Sequence, residues 1–502
     1  MAHGIYAVRR MPTDGVGTLD LKPLAGIRGL ACMGVLMGHV IYFVAQGAQE
    51  KALLYGGFKQ KLWLNWALHA AEPSMDFFMV LTGFLAALSL LSPMESMPDV
   101  WSTTRRYYKK RALRILPAYY STLAIIHGVL LPSAHQDSKF PEIWAGFFGP
   151  KATFDRKACS SLGWMNLVFL NNQHQNGGCF NISWSLAVQV HFYTLYPLGL
   201  ILLRPKAPGF RKRVALAAGC GIALQTVLRF VAAQRSGLWE LAPVAFFGPA
   251  TPALERALSI LAVWTYLGIT SRLAALGMGV LVALAVTDES MRARIGRWRA
   301  RVLIVMVLAA IPAFGGCFQY KVGAVPDPQH PLADRAAFTF AITVIVGVLS
   351  PLTAACLLAL LCTRQPGPAR LLSRLLSSRM LAALADVSYD IYLLHPLVIY
   401  GVFLAAPPSL WFSPEHPLAF GLMLCLVLCI TFAAATIHGG LLSTLVGIAR
   451  SSAGKQSASY SENAKIEENT TSPELIEMRA RAADMHSPMS PAAVVSDLKL
   501  KS

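Results

Sequence analysis

Long apolar runs alternate with short polar connections along most of this chain. A helix that crosses a bilayer needs about 20 predominantly apolar residues, and ten runs approach or exceed that length. We place these runs at residues 24–45, 74–92, 113–132, 184–203, 214–233, 273–287, 302–320, 337–362, 381–405 and 417–447. The run at 273–287 is short, and the apolar residues 255–272 before it either extend it or form an interfacial or re-entrant segment. The pattern predicts an all-α membrane protein with about ten transmembrane helices.

The remaining residues divide the chain into three predicted parts. They are a cytosolic N-terminal segment (1–23), a membrane domain (24–450) and a cytosolic tail (451–502). The tail is rich in Ser, Ala, Glu and Lys and has no apolar run, so we expect it to be disordered. The N-terminal segment lacks a long apolar core, so we expect no cleaved signal peptide there.

Composition agrees with the apolar pattern. The chain is 55% hydrophobic and only 14% charged, whereas soluble proteins carry about 25% charged residues. Its net charge of +18 would suggest nucleic-acid binding in a soluble protein, but in a membrane protein it must be assigned loop by loop. We therefore expect a lipid bilayer, and no nucleic acid, as partner.

The distribution of basic residues predicts the orientation in the membrane. If the N-terminus is cytosolic, the cytosolic connections hold 20 basic residues and the opposite ones hold 11. Basic residues concentrate in cytosolic loops. The chain is therefore predicted to be a multi-pass integral membrane protein with both termini in the cytosol, in a membrane that the sequence does not name.

The nine cysteines include no CxxC pair, so a zinc ribbon is not supported and no metal site is predicted. Cys159 and Cys179 lie in the longest external connection. A disulfide there suits an oxidising compartment, and two free thiols fit the sequence equally well.

Ionisable and amide side chains occur within the apolar runs, where they are costly and usually functional. Arg28 and His39 share the first run, and their spacing corresponds to about 16 Å along a helix. Counting from the predicted ends of the runs, we expect four of them to carry polar groups in the outer half of the membrane. These groups are His39; Asp76; Trp184, Ser185, Gln189 and His191; and Ser388, Tyr389, Asp390, Tyr392 and His395.

A set at one depth on four helices predicts a central polar cavity. Each residue also has a structural explanation: a histidine can bridge helices, Asp76 can favour the positive end of a helix dipole, and tyrosines are common at membrane interfaces. At the opposite end, Arg111 and Arg114 are spaced i, i+3 and share one helix face. The planar guanidinium favours phosphate binding by these two. The adjacent Lys109 and Lys110 fit a topological or lipid-binding role equally well.

Five segments together resemble the acyltransferase 3 family of membrane O-acyltransferases. They are LAGIRGLACMGVLMGHV, SMDFFMVLTGFL, KKRALRILPAYY, SWSLAVQVHFYTLYP and DVSYDIYLLHP, and they run in order from Leu24 to Pro396. The resemblance implies about ten spanning helices and transfer of an acyl group, often acetyl, from a cytosolic thioester to a hydroxyl on the far side. It marks His39 as catalytic and implies that Arg28, Arg111 and Arg114 hold the phosphates of the donor.

The chain departs from this family at two positions that bear on chemistry. Gln189 stands where the family commonly has Glu, and His191 stands where it commonly has Gln. Because glutamine cannot take a proton, any acid–base duty at that position is lost or moved, with His191 as one possible recipient. Alternatively, Gln189 orients a partner by hydrogen bonds. Thr82 in place of the usual Ser is a milder change.

The predicted mechanism uses acyl-CoA, in the first instance acetyl-CoA, as co-substrate with no permanently bound cofactor. Neutral His39 takes the proton of an acceptor hydroxyl, and Asp76 orients its ring as the acid of a hydrolase triad does. Trp184, Ser185 and Tyr389 are candidate oxyanion donors, and Gln189, His191 and His395 are candidate substrate contacts. The acceptor is a carbohydrate, a lipid or a small molecule.

Two other functions fit the sequence. A proton-coupled transporter would use His39, Asp76 and His395 as a proton relay, although no internal repeat typical of transporters is visible. A catalytically inactive homologue that binds acyl-CoA would explain Gln189.

Overall fold

The structure is a computed structural model, and it describes residues 19, 21–47, 71–133, 147–148, 154, 156–173, 179–236, 267–316, 340–363, 368–406 and 417–470. The described elements are all helical. We number the α-helices α1 (Lys22–Gly47), α2 (Ala71–Ser96), α3 (Val100–Ile125), α4 (Arg156–Leu167), α5 (Trp184–Leu202), α6 (Phe210–Ser236), α7 (Leu273–Thr287), α8 (Glu289–Arg297), α9 (Arg299–Ile311), α10 (Ser350–Cys362), α11 (Pro368–Leu376), α12 (Arg379–Asp386), α13 (Ser388–Ala405) and α14 (Pro417–Thr470).

Short turns of other geometry extend or precede several of these helices. The π-helical turns are Ile126–Leu130, Pro312–Gly316 and Ala341–Leu349, the 3₁₀ turns are Asn171–Gln173, Asn181–Ser183 and Ile269–Arg272, and Leu131–Ser133 is a single α turn. The predicted all-helical membrane fold is therefore confirmed for the described part of the chain.

Within the described residues, nine segments are long and apolar enough to cross a bilayer. They are Lys22–Ile41, Pro73–Ser96, Val100–Leu130, Asn181–Leu202, Phe210–Arg235, Ile269–Thr287, Thr343–Cys362, Ser388–Ala405 and Gly421–Gly447. Each overlaps a predicted run. The predicted run 302–320 is not among them, because α9 and its π-helical turn are described only as far as Gly316.

The predicted run 381–405 is two helices, α12 and α13, which meet at Val387. Ser388 is thus the first residue of its spanning helix, and it does not lie several residues inside one. Tyr389 and Asp390 are in the first turn of α13, whereas His395 is two turns further in. The expectation that Ser388, Tyr389 and Asp390 lie seven or more residues inside their span is therefore wrong.

Helices α1 and α13 lie side by side and run in the same direction. Arg28 donates a hydrogen bond to the carbonyl of Ala385, Cys32 contacts the carbonyl of Ser388, and His39 bonds to His395. The partners are separated in sequence by 357, 356 and 356 residues respectively. A constant offset requires parallel helices, because in an antiparallel pair the partner number would fall as the first number rises.

Glycines let two other helices approach until their backbones touch. A Cβ atom added at Gly83 on α2 would lie 2.1 Å from the carbonyl oxygen of Leu276, and one added at Gly279 on α7 would lie 2.1 Å from that of Val80. Small residues at such crossings permit close helix packing in membranes. The α2–α7 pair forms a tight support behind the site described below.

A disulfide joins Cys159 to Cys179, 20 residues apart, and resolves the alternative that the sequence left open. The side chain of Asn166 holds the same connection together, because its Oδ1 accepts from the backbone N–H of Cys179 at 3.0 Å and of Phe180 at 3.3 Å. This bridged connection leads directly into the start of α5.

The chain separates into two compact units, residues 1–439 and 440–502. Of the second unit the structure describes the continuation of α14 as far as Thr470. Residues 451–470, which composition predicts to be disordered, are helical in the structure. Residues 471–502 lie outside the described residues. The predicted limits of the membrane domain stay a prediction.

Candidate active site

A cavity lies among α1, α2, α3, α5 and α13. Six of the residues to which the sequence analysis gave a catalytic or binding role line it, namely Arg28, Arg111, Arg114, Ser185, Gln189 and Tyr389. Thr82, Ser388 and Tyr392 line it as well. Most of the other lining residues are apolar, including Leu24, Phe78 and Leu186. The fold therefore brings the predicted donor-binding arginines and several predicted substrate contacts around one space.

The three arginines make this cavity cationic, because no aspartate or glutamate is among its described lining residues. Arg28 is held by a hydrogen bond of 2.5 Å to the carbonyl of Ala385. The guanidinium of Arg111 lies 5.1 Å from the ring centre of Tyr107 and 4.6 Å from that of Tyr193. Such cation–π contacts hold an arginine in place without neutralising it. The arrangement suits an anion with several charges.

His39 forms a hydrogen-bonded pair with His395, its Nδ1 lying 2.7 Å from Nε2 of His395. The ring planes differ by only 11°, with centres 4.9 Å apart. His395 is 1% exposed, whereas the ring of His39 is partly accessible. The two rings therefore meet edge to edge, and the buried His395 lies behind the more accessible His39.

The bonds of this pair determine where the protons lie. Nδ1 of His395 is 3.2 Å from the carbonyl oxygen of Ile391, and a carbonyl only accepts, so Nδ1 carries the proton. In a neutral imidazole the other nitrogen then accepts, so Nδ1 of His39 donates to Nε2 of His395. Nε2 of His39 is left with its lone pair and can act as a base.

Tyr392 connects the histidine pair to the cavity. It lines the cavity, and its ring centre is 6.0 Å from that of His395. Its hydroxyl donates to the carbonyl of Ile182 and lies 2.7 Å from the hydroxyl of Ser185. His39 and His395 do not themselves line the cavity, so the pair begins one side chain beyond its wall. In the sequence analysis Tyr392 was named only among the polar groups of its run. Its position one helical turn before His395 is the signal that could have placed it beside the histidine pair.

Asp76 does not contact His39, contrary to the prediction. Its Oδ1 accepts a hydrogen bond of 2.7 Å from Arg272, and the two side chains are only 4% and 2% exposed. The guanidinium of Arg272 also lies 5.1 Å from the ring centre of Trp184. Asp76 is therefore half of a buried ion pair. Sequence reasoning missed Arg272, although an arginine at the start of an apolar run was visible.

Two predicted oxyanion donors already have acceptors. The hydroxyl of Tyr389 donates to the carbonyl of Ile115 at 3.1 Å. The Tyr392 hydroxyl gives its proton to Ile182, so Ser185 must be the donor in the bond between their hydroxyls. Trp184 is buried under Arg272 and does not line the cavity. The expectation that these three point donors at a substrate is not supported by the geometry.

Gln189 remains as a polar cavity residue. It lines the cavity and has no hydrogen-bond partner among the described residues. His191, on the same helix, is half-buried and does not line the cavity. The side-chain amide of Gln189, with two N–H donors and one acceptor oxygen, is therefore available to a ligand in the cavity.

Comparison with known proteins gives one family and one curated relative. The family model of the acyltransferase 3 family, described as an acyltransferase domain, matches residues 23–437. The chain is 25% identical over 447 residues to the nose resistant to fluoxetine protein 6 of Caenorhabditis elegans, covering 83% of this chain and 49% of that protein. The chain thus spans about half the length of this relative. No solved structure matches it.

The family match covers most of the chain and contains every residue that lines the cavity except Leu21. The chain belongs to the acyltransferase 3 family, and its long apolar helices are those of an integral, multi-pass membrane protein.

Proposed function

We propose that this protein moves an acyl group, in the first instance acetyl, from acyl-CoA to a hydroxyl of an acceptor. One observation carries the proposal: a single cavity extends from Arg28, Arg111 and Arg114 to Tyr392, which adjoins the His39–His395 pair. A cationic site for the donor is thus continuous with the neighbourhood of a base.

The charge of the cavity and its apolar wall indicate where the donor, acyl-CoA, binds. Coenzyme A carries phosphates at one end and a long thioester arm at the other. Arginine binds phosphate through paired, charge-assisted hydrogen bonds. Ligand pockets are mostly apolar with a few polar groups that fix orientation, and the apolar wall of this cavity suits the arm. We place the phosphates at the three arginines and direct the thioester toward Tyr392.

The chemical step uses the lone pair on Nε2 of His39. It takes the proton from the acceptor hydroxyl while that oxygen attacks the thioester carbonyl. The carbon–sulfur bond then breaks, and the departing sulfur takes the proton back from His39. His395 holds the ring and stabilises the imidazolium through the bond to Nδ1, which is the role first assigned to Asp76.

Gln189 is the group that we assign to the thioester oxygen. Its amide N–H groups can donate to the oxygen as negative charge develops there. An ionised Glu at this position could only accept, so the departure from the family residue is compatible with activity under this assignment. The acceptor is a carbohydrate, a lipid or a small molecule, and we expect it to reach His39 from the side opposite the donor.

Binding of the donor can be tested on purified protein in detergent. We expect Arg28→Gln, Arg111→Gln and Arg114→Gln each to weaken coenzyme A binding about 10- to 100-fold, since a hydrogen bond to a charged group contributes about 1.5–3 kcal/mol. Binding of pantetheine, which lacks the nucleotide phosphates, should not change. Arg105→Gln is the matched control, because Arg105 is exposed on the same helix and does not line the cavity.

Transfer is tested by supplying isotopically labelled acetyl-CoA to membranes and searching glycans, lipids and small molecules by mass spectrometry for the added mass. We expect His39→Ala to lower transfer about 10²- to 10⁴-fold, which is the usual contribution of a general base. Undiminished transfer would contradict the proposal. Coenzyme A binding without transfer to any acceptor would instead favour an inactive homologue, and proton-driven flux without coenzyme A would favour a transporter.

A further inference from the structure

A second chain of hydrogen bonds joins three helices outside this cavity. Oγ of Ser121 on α3 lies 2.7 Å from Nε2 of His438 on α14. Nδ1 of the same histidine lies 2.7 Å from Oδ1 of Asp390 on α13. None of the three residues lines the cavity, and the family match ends at residue 437. The mechanism proposed above uses none of them.

The order of atoms is that of a serine–histidine–aspartate triad. Asp390 is 1% exposed, and as a carboxylate it accepts the proton of Nδ1 of His438. In the neutral imidazole Nε2 is then the acceptor that faces the serine hydroxyl. The hydroxyl of Ser121 has a second acceptor in the carbonyl of Ala118, but at the longer distance of 3.0 Å. The serine proton therefore has a base in direct contact, held in the reactive tautomer by a buried acid.

The surroundings of this triad indicate what could reach it. Tyr120 precedes Ser121 in sequence, Ile125 follows it by one turn of α3, and Ile437 precedes His438 on α14; all three are exposed large side chains. In a membrane-spanning bundle such side chains face the acyl chains of the bilayer. A reactant that carries an aliphatic chain can thus approach Ser121 laterally from the lipid.

We propose that Ser121 is a second nucleophilic centre, which takes an acyl group from an ester or thioester that bears an aliphatic chain. Oγ forms a bond to the acyl carbon while its proton passes to Nε2 of His438. The bond from carbon to the ester oxygen or thioester sulfur breaks, and the leaving group takes that proton. Water or an alcohol then attacks the acyl-serine in the same manner, and the proton returns to Ser121.

The test is covalent labelling of the full-length protein in lipid nanodiscs with a long-chain alkyl fluorophosphonate, followed by peptide mass spectrometry. We expect the wild-type protein to carry the phosphonyl group on Ser121. Ser121→Ala should abolish the label, and His438→Ala and Asp390→Asn should slow labelling at least about a hundredfold. Monodisperse gel-filtration profiles distinguish lost reactivity from unfolding.

Ser89 on α2 provides the matched control. It makes the same type of bond to the carbonyl three residues before it, at 2.8 Å, and no histidine bonds to it among the described residues. We expect Ser89 to stay unlabelled and Ser89→Ala to label as the wild type does. A wild-type protein that reacts at neither serine, or at both equally, would overturn the proposal without reference to any variant.

Discussion

The edge-to-edge pair of His39 and His395 concentrates the proposed chemistry in one hydrogen bond. Because a carbonyl fixes the proton of His395, the tautomer of His39 depends on its neighbour. This makes His395 a positioning residue for the base.

We expect His395→Ala to lower the turnover number about 10- to 100-fold, since a hydrogen bond to a group that becomes charged contributes about 1.5–3 kcal/mol. His395→Gln should recover part of the loss, because its carbonyl oxygen can accept from Nδ1 of His39. Turnover numbers and Michaelis constants measured with labelled acetyl-CoA separate this effect from weaker binding, which should not change. His127→Gln, on an exposed histidine of the Ile126–Leu130 turn, is the control. Equal activity of the two His395 variants would contradict the tautomer argument.

The buried pair of Asp76 and Arg272 leads to a prediction about stability. Removing one partner leaves an uncompensated buried charge, which costs about 3–5 kcal/mol. We therefore expect Asp76→Asn and Arg272→Met each to lower the free energy of unfolding by about that amount, measured by thermal unfolding in detergent.

The double variant Asp76→Leu/Arg272→Met removes both charges and should restore most of the stability, because uncharged replacements of a buried pair are often neutral. If Asp76→Asn retained full stability and lost only turnover, Asp76 would instead be the orienting acid that the sequence suggested.

At the scale of single residues, the sequence predicted which side chains matter better than it predicted which side chains contact each other. Arg28 was predicted from its place within an apolar run, and Arg111 and Arg114 from their i, i+3 spacing; all three line one cavity. The bond between His39 and His395 joins residues 356 positions apart, so it depends on the register of two helices. Helical periodicity within one segment carries no information on that register.

At the scale of elements, the α2–α7 crossing is sensitive to a single methyl group. Alanine favours helix over glycine by about 1 kcal/mol, yet a Cβ at Gly83 or Gly279 would meet backbone atoms at 2.1 Å. We expect Gly83→Ala and Gly279→Ala to destabilise the protein by at least about 1–3 kcal/mol, as overpacking does. Gly199→Ala on α5, where no atom lies within 4 Å of the added carbon, should be neutral or slightly stabilising in the same thermal unfolding measurement. A gain in stability at Gly83 would contradict the described crossing.

The existence of the helices was easier to predict than their ends. Apolar length located every described span, because burial in lipid imposes a minimum length. The polar start of α3 was invisible to that criterion; it depends on Asp99, which accepts from the backbone N–H groups of Trp101 and Ser102. The break between α12 and α13 was also missed, because Asp386 and Ser388, the polar neighbours of Val387, stand within a longer apolar run.

For the whole molecule, the parallel course of α1 and α13 constrains the number of crossings. Successive crossings alternate in direction, and α13 is the eighth of the nine described candidates. An eighth crossing would run opposite to the first, whereas the hydrogen bonds show the same direction. One more crossing between them restores agreement, and the predicted run 302–320, which begins within α9, is its natural position.

An even number of crossings gives a prediction for topology. With ten crossings, epitope tags at the N-terminus and after residue 502 should both be reached by antibodies only after the membrane is permeabilised. A tag inserted within 321–335 should be reached without permeabilisation. Nine crossings would place the two terminal tags on opposite sides, which would contradict the ten-helix arrangement and the predicted orientation.

The covalent bridge between Cys159 and Cys179 has a further consequence for the direction of the reaction. Protein thiols pair stably in secretory or extracellular surroundings and stay reduced in the cytoplasm. The bridge lies after α3 and immediately before α5, which favours the predicted orientation, with those helix ends away from the cytosol. Under the proposed function, this orientation would let cytosolic coenzyme A thioesters supply the acyl group. The acylated product would then accumulate across the membrane, away from the thioester pool that could reverse the transfer.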